Sequence, residues 1–283
     1  MSGFVRKTLI DTPKGMSRIV MIIFVLGLTA TSCRKSDRDL DNSLVAMEDQ
    51  VVADQLLFDL FVMTDEAAKK AFNQIPFYTA DRLDCANVNW NISGSPATVS
   101  IDFGSGCTSP DGRLRSGSIL LQVNGTYGDS GVTTLVQLSG YQVDDFRISG
   151  SWTYQFMGTD PSSGGKIIDV SFNDVTFTDP ASKTLTYSAE RQWINVDGFQ
   201  TFEVIDDLYT TTGTSSATAR TGNPFDCSIT GTLSQAVNCR YIISGTMELS
   251  PVNHATRYMD FGTECDSNTV VTINATAYYL AQD

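Results

Sequence analysis

From Cys85 onward apolar residues recur at every second position, and this period limits the possible folds more than any other feature of the chain. Val99, Ile101 and Phe103 alternate with Thr98, Ser100 and Asp102, and Ile168, Val170 and Phe172 alternate with Asp169, Ser171 and Asn173. The same holds for Tyr241, Ile243, Met247 and Leu249 against Arg240, Ser244, Thr246 and Glu248, and for Val271, Ile273, Ala275 and Ala277 against Thr272, Asn274 and Thr276. Successive side chains of a strand point to opposite faces, so the pattern belongs to strands with one face buried and one wet, the usual condition of antiparallel sheets. Turn-forming clusters separate the runs, among them Gly94-Ser95-Pro96, Pro110-Asp111-Gly112, Tyr127-Gly128-Asp129, residues 160–165, Asp179-Pro180 and Gly222-Asn223-Pro224. After Phe72 no segment has the helical length that a parallel crossover needs. The spacing predicts a mainly β protein: one large antiparallel domain over 74–283, a meander of about ten or more strands forming a sandwich or a half-open barrel.

Ahead of the sheet the period changes. Over 43–73 one row of apolar residues runs Leu44, Met47, Val51, Phe58, Phe61 and a second runs Val45, Val52, Leu56, Leu60, Met63, which is helical spacing. Two adjacent rows make a wide apolar face, so one N-terminal helix packed on the sheet is expected. Glu48, Asp49, Asp54, Asp59, Asp65 and Glu66 interrupt the rows, whereas a helix lying on a membrane would carry Lys and Arg on its polar face.

The N-terminus reads as a targeting segment. Lys14 and Arg18 precede an apolar run from Ile19 to Leu28, too short to span a bilayer, followed by Thr29-Ala30-Thr31-Ser32-Cys33. This resembles a bacterial lipoprotein signal over 1–32, with Ala30 where leucine is more common, and implies that Cys33 becomes the lipidated first residue of the mature chain. Met16 offers a more compact start for that signal than Met1. Residues 33–42 then form a charged tether. Removal of the signal leaves 15 basic against 31 acidic side chains, a balance of −16. Phosphate recognition rests on clustered Lys and Arg, so nucleic acid is excluded as a partner.

Two segments match: Asp102-Phe103-Gly104-Ser105-Gly106-Cys107 and Asp260-Phe261-Gly262-Thr263-Glu264-Cys265, each at the end of a strand-like run and each with a cysteine upstream. Duplication and convergence on a useful turn both account for them. Five cysteines after Cys33 allow many pairings, and the repeated motif favours Cys85 with Cys107 and Cys239 with Cys265, leaving Cys227 as a buried free thiol. Asp102 and Asp260 are expected to accept backbone N–H bonds in their turns.

Chemistry is hard to find in the sequence. The single histidine, His254, reads as a loop residue, and no Gly-x-Ser-x-Gly elbow, kinase motif set or calcium loop is present. Asp144-Asp145 and Asp206-Asp207 read as solvated charge. Trp90, Trp152 and Trp193, with Tyr127, Tyr141, Tyr154 and Tyr209, are candidate sugar-stacking platforms, though such aromatics more often pack in a core. No catalytic residue, metal site or cofactor is expected.

The set of Leu56-Leu57-Phe58-Asp59, the Val99–Cys107 run leading into Asp111-Gly112-Arg113, Arg191-Gln192-Trp193, and the Cys239–Leu249 run resembles a family of uncharacterised Bacteroidota lipoproteins of unknown function. The likeness covers nearly the whole mature chain and brings no catalytic residue with it. It implies a protein of the cell envelope, held to the outer membrane through its lipid on the periplasmic or the surface face. A non-enzymatic binding or structural role follows, with a glycan, lipid or protein ligand. The alternatives are a carrier holding a hydrophobic ligand in a half-open barrel, and a carbohydrate-binding or carbohydrate-active protein, which would need aromatic residues and two carboxylates converging on a groove.

Overall fold

The computed structural model describes residues 42–80 and 82–282. The proposed signal and Cys33 lie outside the described residues. Helix α1 spans Val45–Ala71 and ends where Asn73 adopts a left-handed conformation, letting Gln74 N–H donate to the Lys69 carbonyl at 2.8 Å. The strands that follow are β1 (Asn87–Asn91), β2 (Ala97–Asp102), β3 (Cys107–Thr108), β4 (Leu114–Asn124), β5 (Thr133–Val143), β6 (Phe146–Ser149), β7 (Ser151–Thr159) and β8 (Lys166–Thr178). They continue as β9 (Thr184–Asp197), β10 (Leu208–Thr218), β11 (Pro224–Ala236), β12 (Ser244–Pro251), β13 (Arg257–Asp260), β14 (Asn268–Ile273) and β15 (Thr276–Ala281). All belong to one antiparallel 15-stranded sheet in near-sequential order, an open meander that does not close into a barrel.

Each turn cluster named from the sequence falls between strands, with Pro224 already the first residue of β11. Two segments differ from the simple alternation. Tyr241 and Ile243 precede β12, and the buried residue there is Ile242, whose N–H donates to Gln282 Oε1 at 2.9 Å and whose carbonyl accepts from Gln282 Nε2 at 3.1 Å. The run from Val271 to Ala277 is two strands, because Asn274 and Ala275 both take positive φ and form a tight hairpin turn between Ile273 and Thr276. An Asn-Ala pair lacks the glycine that usually marks such a turn, so the alternation runs through it unseen.

The helix is not laid on one face of the sheet. Residues 53–68 are buried without interruption, more than four turns, which no amphipathic stripe can achieve. The sheet curls around α1. Phe61 meets Tyr154 of β7 at 5.6 Å, Trp193 of β9 at 4.5 Å and Tyr209 of β10 at 5.6 Å, while Asp59 reaches Arg115 of β4 and Gln55 reaches Gln282 beyond β15. Trp152, Trp193, Tyr127, Tyr141, Tyr154 and Tyr209 are consequently core residues with no face free to stack a sugar, and only Trp90 among those aromatics is exposed.

Disulfides join Cys85 to Cys107 and Cys239 to Cys265, as the repeated motif suggests. The two Asp-Phe-Gly segments are alike in three dimensions. Asp102 and Asp260 accept from Gly104 and Gly262 N–H at 2.8 and 2.9 Å, and both phenylalanines are buried. Their N–H groups donate to the carbonyls of Gly117 and Gly245, glycines with positive φ. Cys227 is buried and free, and burial, reinforced by the nearby Asp54 charge, pushes its thiol up to about 12. It is expected to resist iodoacetamide at pH 8 in the native protein and to take up one label per chain in unreduced denaturant, read by mass spectrometry. Rapid labelling of the native protein would contradict its position in the core.

Candidate functional site

The acidic residues of α1 are the starting point, because a helix buried on every side carries its carboxylates into the core. At about 100° per residue, Asp54 and Asp65 lie within about 20° of each other along the helix, and Asp59 lies about 140° round from Asp54. Buried carboxylates need charged or hydrogen-bonding partners. Asp54 receives Arg191 Nε at 3.1 Å and Tyr187 Oη at 2.9 Å, both from β9. Asp59 receives Arg82 Nε at 2.7 Å and Arg115 at 2.9 Å, and Arg115 also bonds Asp111 at 2.6 Å. Burial by itself would raise the Asp59 carboxyl, yet the Arg115, Arg82 and Arg113 guanidiniums hold it well below the usual carboxylate range. These two clusters satisfy their charges internally.

The third cluster opens to a different surface cleft from the one beside Asp59 and Arg82. Asp65 accepts Tyr127 Oη at 2.7 Å and pairs with Lys69 Nζ at 2.8 Å, one turn on. Lys69 also stands 3.6 Å from Asp207, whose carboxylate accepts Tyr209 Oη at 3.4 Å. Above this floor is a cleft of about 310 Å³, walled by Phe156, Tyr209 and the 198–207 loop carrying Phe199 and Phe202. Asn195 of β9, paired in register with Tyr209 of β10, lines the cleft at 4% exposure, and its Oδ1 has no hydrogen-bond partner. Leaving a buried amide oxygen unpaired is unfavourable by roughly 1–3 kcal/mol; other core atoms, among them Tyr141 Oη, Trp152 Nε1 and Arg191 Nη1, share that condition, but none of those three residues lines this cleft.

Asp207 corrects the reading of Asp206-Asp207 as solvated charge. Asp206 is exposed, whereas the alternation that buries Tyr209 and Thr211 carries Asp207 to the same inner face. Burial, opposed by Lys69 and Asn195 and reinforced by Asp65 and Asp206, raises its carboxyl to about 6. Lys69, which burial would deprotonate, is held charged by Asp65 and Asp207. A carboxyl raised on folding favours the folded state as pH falls through its folded value and opposes it above. Asp207→Asn is therefore expected to stabilise the protein by about 1–3 kcal/mol at pH 8 and by only about a third as much at pH 4.5. Urea denaturation at the two pH values checks this, and an equal change at both would overturn it.

Asp144 and Asp145 are both exposed, in keeping with the solvated reading, and Asp144 also has charged neighbours. It occupies the β5–β6 turn with positive φ, where its Oδ2 lies 3.3 Å from Arg240 and 3.5 Å from Arg113. The 400 Å³ cleft lined by Arg82, Arg113 and Arg240 has a carboxylate opposite each of these arginines, and, unlike Asn195, none of its lining residues has a buried polar atom without a partner. His254 sits in the turn between β12 and β13. Among the described residues no group of three or more His, Cys, Asp and Glu side chains is arranged to hold a metal ion, and no helix is long and apolar enough to cross a membrane. Comparison with protein-family models, curated proteins and solved structures gives no match.

Proposed function

We propose that this chain is an envelope lipoprotein anchored through Cys33, with a non-enzymatic binding role, and that the cleft at the C-terminal end of α1 is its ligand site. The observation that carries the reading is the buried, unpartnered Asn195 Oδ1 at the floor of a cleft whose mouth presents Phe202 at 63% exposure. A polar group left unpaired in a pocket lined by aromatic rings is the arrangement a ligand completes. A carrier enclosing a hydrophobic molecule would need an empty interior, and here the side chains of α1 occupy that space. The position of Lys69 between Asp65 and Asp207 favours binding over hydrolysis, since an ammonium stands where a catalytic carboxylate pair would place the scissile bond.

Two measurements test this reading. Native mass spectrometry of the protein purified gently from its own membrane is expected to show a stoichiometric small-molecule adduct that Phe202→Ala removes. Cys33→Ser is expected to move the protein from the membrane fraction to the soluble fraction. Specific turnover by the purified protein, abolished by Asp65→Asn or Asp207→Asn, would overturn the non-enzymatic assignment.

A further inference from the structure

The chemistry of the cleft limits what it can hold, and three features act together. The first is charge. Lys69 is shared by Asp65 and Asp207, and Lys166 at the rim donates to the Gly128 carbonyl at 2.9 Å, so both lysines already have partners, while Glu203 adds an exposed negative charge to the lining. An anionic ligand would have to displace one of these partners and face Glu203, losing an interaction for each one it gains.

The second is the group left over. Asn195 Oδ1 accepts hydrogen bonds and has none, so the ligand must bring a donor to that point. Asn195 pairs in register with Tyr209 of β10, and its neighbour Ile194 pairs with Ile167 of β8, so the backbone that carries the amide is held in the sheet before anything binds. A fixed acceptor discriminates strongly for a ligand hydroxyl over an analogue that lacks it.

The third is shape. Phe199 packs edge to loop against a glycine pair: a Cβ on Gly164 would stand 3.5 Å from its ring, and one on Gly165 would stand 3.2 Å from the ring and 1.7 Å from the Asn195 carbonyl oxygen. Two glycines thus allow the Phe199 ring and the strand carrying Asn195 to approach this closely. With Phe202 exposed, the cleft lining combines two phenylalanine rings with a hydrogen-bond acceptor. Its 310 Å³ is at the lower end of the roughly 300–1,000 Å³ typical of ligand pockets, which suits a single small ring.

Building on the proposed binding role, we infer that the cleft formed by Asn195, Phe199, Phe202 and the Lys69-bridged carboxylates takes one neutral sugar ring. The apolar C–H face of the sugar lies on phenylalanine, and a hydroxyl donates to Asn195 Oδ1.

The test uses full-length protein in a detergent without a sugar head group, so that the detergent does not compete. Methyl glycosides of glucose, galactose, mannose, xylose and N-acetylglucosamine are titrated by calorimetry, with cyclohexanol as an apolar ring bearing one hydroxyl. Wild type is expected to bind at least one glycoside more tightly than cyclohexanol. Phe202→Ala, at an exposed position where folding is not at risk, is expected to weaken it about fivefold or more. Asn195→Ala is expected to weaken it about three- to tenfold, with correct folding confirmed by an unchanged unfolding midpoint within a few degrees. A glycoside that binds wild type and both variants equally would place the sugar elsewhere and overturn the inference. If no glycoside binds while a non-sugar adduct is present in native mass spectra and is lost in Phe202→Ala, the sugar assignment fails and the cleft remains a binding site. If no glycoside binds and no adduct is present, both the sugar assignment and the binding role are overturned.

Discussion

Replacing Asp59 with alanine is expected to destabilise the protein by about 3–5 kcal/mol, a large share of the stability of any single domain. The reason lies in its two partners. Arg115 has a fully buried side chain and Arg82 is nearly as enclosed, so removal of the carboxylate leaves guanidinium charge in the core opposite only Asp111. Urea denaturation measures the loss. Asp59→Asn, close to isosteric and uncharged, should lose almost as much; if it unfolds within about 1 kcal/mol of wild type, packing and not charge pairing is what Asp59 supplies. The pH dependence has a definite sign. A carboxyl held below its usual value contributes stability in full above the unfolded value near 3.8 and loses it as pH falls further. Asp207 acts in the opposite direction, favouring the folded state as pH drops through about 6. Stability of Asp207→Asn should consequently fall monotonically with acid, whereas wild type should gain slightly between pH 8 and pH 5 before losing stability below pH 4.

Phe61→Ala is expected to cost about 3–5 kcal/mol, again by urea denaturation. The ring contacts Tyr154, Trp193 and Tyr209, from three strands, so the hole left behind is bounded by rigid aromatic groups that cannot collapse into it. A companion measurement distinguishes a wrapped helix from one laid on a surface. Met63 lies about 200° round the helix from Phe61 and is equally buried, so Met63→Ala should lose about 2–5 kcal/mol as well. On a helix with one wet face, one of the two positions would be nearly neutral. A loss under about 0.5 kcal/mol at either position would contradict the enclosure of α1 by the sheet.

The antiparallel meander is legible from residues alone because a period of two is a local property. Burial of alternate side chains needs no knowledge of which strand lies alongside, and turn clusters such as Pro110-Asp111-Gly112 are set by backbone preference within a few residues. The repeated Asp-Phe-Gly-x-x-Cys segments were informative for the same reason, since each forms its turn from its own aspartate and closes its own disulfide. The break at Asn274-Ala275 escaped because the pair carries no glycine and the apolar letters at 271, 273, 275 and 277 run across it, although the two-residue turn inverts the inward parity and leaves Ala277 exposed and Leu280 buried.

The candidate site was hidden for a different reason. Asp65, Lys69, Asn195 and Asp207 are ordinary residues in separate segments, and their significance arises only when β9 and β10 close on the C-terminal end of α1. The carboxylates of α1 misled in the same way. Asp, taken singly, belongs at a wet surface, and its pairing with Arg115 or Arg191 spans 56 and 137 residues. By itself the sequence determined the strands, most of the turns, the helix and the two disulfides, all of which follow from short-range pattern and backbone preference. Only the tertiary structure decided that the sheet encloses the helix, and hence which charges are buried and which amide is left unpaired. Those outcomes depend on what surrounds a side chain, and a solvent-exposed carboxylate and a core carboxylate facing a distant arginine are the same letter in the chain.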